Sequence, residues 1–106
     1  MYIAMNRFQI VRGQEETFEE MWRKRDTYLY EVPGFREFHL LRGQSEDAYT
    51  LYASHSIWDS REAFEGWTKS ESFRKAHAQA GRAKGVYLDH PRFEGFEVIL
   101  GQGGTV

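Results

Sequence analysis

Apolar residues in this chain run first in alternation, then at helical spacing, and that sequence of periods repeats with two alternating runs in the middle. Tyr2 to Val11 is rich in strand formers. Beyond Gly13, Gln14 to Val32 has helical character. Phe18, Met21, Trp22, Arg25 and Leu29 fall at helical spacing, with acids early and Arg23, Lys24 and Arg25 later, as the helix dipole favours. Pro33-Gly34 closes the segment with a turn. Phe35 to Arg42 and Thr50 to Trp58 read as strands joined by a hairpin loop, Gly43 to Ala48. Asp59-Ser60 offers a helix N-cap, with Glu62 three residues past Asp59 as capping-box partner, and the short helix Arg61 to Thr68 follows. Ser70 opens a second helical piece, Glu71 to Gly81, with Phe73, Ala76, His77 and Ala80 on one stripe. Phe93 to Leu100 is the last strand.

The resulting order is β-α-β-β-α-β with a broken second helix. This is an α+β chain of the ferredoxin-like, split βαβ kind: an antiparallel sheet with helices on one face. Such a sheet leaves its other face open, and in a monomer that face should be polar. Here both faces carry bulky groups. Tyr2, Phe8 and Ile10 alternate with Ile3, Met5 and Val11, and Tyr52 and Trp58 with Leu51 and Ile57. A second subunit covering the open face resolves the conflict, so a sheet-on-sheet homodimer is expected. Residues 1–100 should form one domain, with a Gly-rich tail over 101–106.

Composition narrows the function classes. Aromatic residues are 16% of the 106, enough to fill a core despite a mean hydropathy of -0.68, which excludes a disordered chain. The formal charge of -2 gives no global basic field for nucleic acid. Without cysteine there is no disulfide framework, thiolate metal site or cysteine nucleophile. No apolar run is long enough to span a membrane, and the opening MYIAMNRFQIV lacks the pattern of a signal peptide, so a cytoplasmic location is expected.

Three residues stand out. Asn is depleted in strands, yet Asn6 shares a face with Ala4, Phe8 and Ile10. Its amide either bonds a neighbouring backbone group or is held inside a pocket toward a ligand. His77 stands among small residues, Ala76, Ala80 and Gly81, which leave room for something broad and flat. Between Ser72 and Leu88 lie Arg74, Lys75, Arg82 and Lys84 with no acidic residue. That patch suits an anionic planar ligand and equally suits a helix C-terminus. Trp67 ends the short helix, with Phe64 and Phe73 nearby in sequence, as a core aromatic or a pocket wall. His39, His55 and His90 show no ligand-like spacing.

Together, Asn6 on the first strand, Trp67 at the helix break and His77 on the following helix resemble the active-site set of the IsdG-type heme-degrading monooxygenases. These belong to the antibiotic-biosynthesis-monooxygenase superfamily of dimeric α/β barrels. The likeness runs from about Tyr2 to Ile99. It includes EVPGF (Glu31 to Phe35), YASHSIWDSREAFEGW (Tyr52 to Trp67), SFRKAHA (Ser72 to Ala78) and HPRFEGFEV (His90 to Val98), with the proteobacterial, HmuQ-like members the nearest in kind. The VPGF turn and the W-D-S-x-x-x-F run speak only for the fold; the Asn, Trp, His set is the specific part.

The resemblance implies that heme is both substrate and cofactor. His77 would be the proximal iron ligand. Asn6 would donate a hydrogen bond on the distal side to iron-bound dioxygen, and Trp67 would press the porphyrin out of plane. Arg74, Lys75, Arg82 or Lys84 would offset the propionates. The implied reaction opens the ring with O2 and releases iron and a linear tetrapyrrole, with electrons from an external reductant or reductase. Two other readings share the fold. One is a cofactor-independent monooxygenase of quinols or polyketides, which has no use for an iron-binding His77. The other is a non-catalytic heme carrier, which gains nothing from Asn6 and Trp67.

Overall fold

The computed structural model describes residues 1–77 and 85–103, His77 by its backbone alone. Four strands form one antiparallel sheet in the order β2-β3-β1-β4. They are β1 (Tyr2–Val11), β2 (Phe35–Ser45), β3 (Tyr49–Trp58) and β4 (Arg92–Glu97). Three helices, α1 (Glu15–Lys24), α2 (Arg61–Thr68) and α3 (Glu71–His77), complete the βαββαβ order, with the second helical element split in two as the sequence implies.

The pleat decides which residues meet the helices. Tyr2, Ala4, Phe8 and Ile10 on β1 are buried, as are Thr50, Tyr52, Ser54, Ser56 and Trp58 on β3. These form two separate cores. One gathers Phe8, Ile10, Phe18, Tyr52 and Val86 beneath α1; the other gathers Tyr2, Ala4, Leu29 and Trp58 beneath α2. Acids in α1 tie it to β3: Thr50 and Tyr52 donate their hydroxyls to Glu15 and Glu19. Two glycines are set by close approach. Gly34, at φ +84, holds the turn before β2, where a Cβ would meet Ala63 Cβ at 2.5 Å. At Gly95 a Cβ would fall 1.8 Å from the Tyr2 hydroxyl, so the missing side chain lets Tyr2 lie across β4.

Four local expectations are corrected. The helix expected over Gln14 to Val32 ends at Lys24: Arg25 is extended, Asp26 Oδ1 accepts the Tyr28 N–H at 2.9 Å, Tyr28 is left-handed at φ 58, and only a 3-10 turn over Leu29–Glu31 follows. The hairpin loop begins later than Gly43, because β2 continues through a register shift to Ser45. The cap of α2 is Ser60, whose Oγ accepts the Ala63 N–H at 3.1 Å, while Asp59 pairs with Arg36 instead of making a capping box with Glu62. Strand β4 stops at Glu97 instead of Leu100. Its partner β1 begins at Tyr2, opposite Glu97, leaving Ile99 and Leu100 95% and 82% exposed. Of the expected tail, 101–103 form no helix or strand and 104–106 lie outside the described residues.

On the opposite face of the sheet, Ile3, Met5, Val11, Leu51 and Ile57 are half-buried, and Leu41 and Phe96 are exposed. Among the described residues no helix is long and apolar enough to cross a membrane.

The link between Tyr52 and Glu19 is testable. Burial pushes the Tyr52 hydroxyl up to about 12, with the hydrogen bond to Glu19 adding to it, and that bond leads the causes holding Glu19 below its ordinary value. An unfolded tyrosine titrates near 10, so this contribution is complete below about pH 10 and is lost as pH rises toward 12. Tyr52→Phe should cost about 1–2 kcal/mol in denaturant unfolding at pH 7. It should also remove this part of the alkaline fall in stability; an unchanged alkaline slope would refute the link.

Candidate active site

The helix-facing side of the sheet is apolar at both ends and polar in its middle. Asn6 lies opposite Ser54 on β3 and Phe93 on β4, and Ala4 lies opposite Ser56. Short polar side chains here cannot fill the space that Phe, Ile or Trp fill to either side, and the two cores stay apart. Between them lies a cavity of about 870 Å³. That volume belongs to the upper part of the range for small-molecule and cofactor sites, roughly 300–1,000 Å³.

Asn6 lines this cavity, and its amide makes no hydrogen bond to any described residue. The structural alternative, an amide spent on a neighbouring backbone group, is therefore not what these residues do. Ser56 is differently employed: its Oγ accepts the Trp58 indole N–H at 2.9 Å and donates to the Ala4 carbonyl.

Trp67 is both core and wall. Its indole stacks on Trp58, with centroids 5.4 Å apart and planes at 30°, and meets Phe73 edge-on at 4.8 Å. The same side chain lines the cavity with Phe64, Phe73 and Ala76. Ser70 holds this corner: its hydroxyl donates to the Trp67 carbonyl at 2.6 Å and accepts the Phe73 N–H at 3.1 Å, so α3 starts where α2 stops. Phe93 stacks on Phe64 at 5.5 Å and extends the wall to β4. This end of the cavity is a set of flat, rigid aromatic faces.

The other end is polar, and the early stop of α1 creates it. Arg25, which a longer helix would carry along its stripe, instead lies 4.4 Å over the Trp22 ring and lines the cavity with Thr27. Its guanidinium is half-buried, burial lowers its pKa, and it makes no ion pair with any described carboxylate. Tyr87 is its electrostatic neighbour, and burial raises the pKa of that hydroxyl. The indole N–H of Trp22 is buried with no hydrogen-bond partner among the described residues. An unpaired guanidinium in such a place favours an anionic guest.

His77 is the last described residue on α3, next to Ala76 and one helical turn beyond Phe73, both of which line the cavity. Its side chain, and Ala80, Gly81, Arg82 and Lys84, lie outside the described residues. Arg74 is turned to Glu71 on the exposed side of α3, so it does not belong to the lining, nor does Lys75. Sequence reading missed Arg25 because helical spacing placed it on a continuing stripe. Asp26 before a β-branched Thr27 was the available signal for a break. It also set aside His90, which lines the cavity.

The profile of the family described as Antibiotic biosynthesis monooxygenase matches residues 1–79. A heme-degrading monooxygenase of Bacillus cereus is 30% identical over 90 residues, covering 85% of this chain and 83% of that one. A staphylobilin-producing heme oxygenase of Staphylococcus saprophyticus is 27% identical, covering 79% of this chain and 80% of its own. Among solved structures, the heme-degrader MhuD of Mycobacterium tuberculosis, with two hemes bound in its active site, superposes with a TM-score of 0.74 at 28% identity, over 97% of this chain and 100% of that one.

Proposed function

The chain belongs to the antibiotic biosynthesis monooxygenase family, and from that membership we propose that heme is its substrate and that Asn6, Trp67 and His77 carry the reaction. As a heme-degrading monooxygenase it opens the porphyrin with O2 and releases iron and a linear tetrapyrrole. The observation that carries this reading is the pairing in one cavity of an uncommitted amide, Asn6, with the flat indole of Trp67. A quinol or a polyketide has no need of an amide set apart from the fold.

The residues present fit the guest. A tetrapyrrole is a broad apolar plane with two carboxylates on one edge. The cavity has aromatic walls at one end and the Arg25 guanidinium at the other. His77, beside Ala76 on α3, is the group to hold the iron, and the small, apolar Ala76 leaves room for a broad guest to approach. Bound heme supplies the metal at which O2 is activated, with electrons from a separate reductant. Asn6 would present its amide N–H where negative charge develops. Trp67, backed by Trp58 and braced by Phe73, would press against the face of a planar guest. A homodimer completes the assembly: Ile3, Met5, Leu51 and Ile57 lose their remaining contact with water when a second sheet covers them.

Hemin added to the purified chain should give the Soret band of a histidine-ligated complex. Under air with ascorbate the band should bleach and iron should appear in solution. His77→Ala should abolish that ligation. Asn6→Ala and Trp67→Ala should keep hemin binding while slowing bleaching, about 10²-fold for the lost donor. Parental rates in both variants would remove their assigned roles. Heme that survives reduction in air points to a carrier, and no hemin binding points to a cofactor-independent oxygenase.

Sedimentation should show a dimer. Leu51→Glu, which puts a charge on the covered face without touching the cavity, should yield monomers. A dimer that persists in this variant would place the interface elsewhere.

A further inference from the structure

The sheet carries a second polar feature, on the face turned away from the helices. In the register of β2 and β3, His39 lies directly opposite His55. Residues opposed in this way share a face, and the two imidazoles stand with ring centroids 6.2 Å apart and planes at 39°. Their neighbours along the strands, Phe38, Ser54 and Ser56, line the cavity, so the pleat sets both histidines on the other side of the sheet.

Both rings are uncommitted. Among the described residues neither makes a hydrogen bond or an ion pair. Across the sheet Met5 lies opposite His55, and Glu94 beyond it is taken by Arg7. No third His, Asp or Glu among the described residues joins the pair to make a set of three. On the outer side β2 is the edge strand, where His39 is exposed and His55 half-buried. Strand pairing continues on either side of the two histidines, Phe38 with Ser56 and Leu40 with Ser54, so the backbone holds their spacing.

Two opposed imidazoles offer each other little when neutral, and repel when both are charged. A shared cation changes that balance, because each neutral ring has one nitrogen lone pair to give. Two imidazoles on one tetrahedral ion, with metal–nitrogen bonds of about 2.0–2.1 Å, bring their centroids to about 5 Å. Rotation of the exposed His39 ring closes the difference from 6.2 Å without moving the strands.

We propose that His39 and His55 form a two-imidazole site for a late first-row divalent ion, Zn2+ or Cu2+, on the sheet face opposite the cavity. Each ring gives one nitrogen, and water fills the remaining positions. Mg2+ and Ca2+, which take oxygen donors, are refused. The site shares no residue with the cavity and stands apart from the heme reading.

The test is calorimetric titration of the full chain, free of hemin, with Zn2+. The parent is compared with His39→Gln, His55→Gln and the variant carrying both changes, which keeps His77 and His90 and so reports binding elsewhere. The parent should take one ion per chain about 10²-fold more tightly than either single variant, since the second nitrogen is presented by the same rigid sheet. Each single variant should be as weak as the double variant, because one ligand alone does not make the chelate. Under reducing conditions His39→Cys, which returns a zinc ligand to the same position, should regain tight binding. Mg2+ should give no heat of binding at the pair. Parental affinity in either single variant overturns the site, as do losses that merely add in the double variant. A His39→Cys chain that binds Zn2+ no better than His39→Gln overturns it as well.

Discussion

The site depends on a gap in packing. On the helix-facing side of the sheet, Asn6, Ser54 and Ser56 stand where a continuous core would place large apolar groups. An amide and two hydroxyls cannot close the distance between sheet and helices. Trp58, Tyr52, Phe18 and Ile10, all fully buried, make each side rigid enough that the space stays open. α1 and α2 therefore sit over separate cores, and the cavity is what remains between them.

The cavity is polarised because of how its two flanking helices end. α2 ends at Thr68, just past Trp67, and Ser70 starts α3 at once, which stacks aromatic faces at one end. α1 ends early, at an Asp-led turn, and delivers Arg25 to the other. The fold alone is shared by enzymes of different chemistry. The braced indole, together with an amide and a guanidinium that have no side-chain partner among the described residues, is what this chain brings to it.

Much of the fold was legible because it is written locally. Alternation gave β1 and β3 nearly residue for residue, and Pro33-Gly34 and Ser60 marked true boundaries. The errors fell where a distant group decides. β4 was read too long because its end is set by where β1 begins. α1 was read too long because helical spacing persists through Tyr28 while the backbone does not. In the site, Asn6 was visible as a residue out of place in a strand, and Trp67 through the family resemblance. Arg25 and His90 were not, since their importance comes from neighbours remote in sequence. His39 and His55 show the same limit: sixteen positions apart, they face each other across strands with ring centroids 6.2 Å apart.

What the sequence by itself determined is the order and type of elements, one domain's worth of core, and a sheet with apolar groups on both faces. These follow from side-chain period and backbone preference, which act over a few residues. The tertiary structure decided that Asn6, Arg25, Trp67 and His90 border one space, and that Arg74 does not. That meeting depends on strand register, on where α1 stops and on where the chain rejoins the sheet edge at Arg92. Each is settled by contacts between distant segments, which no local spacing encodes.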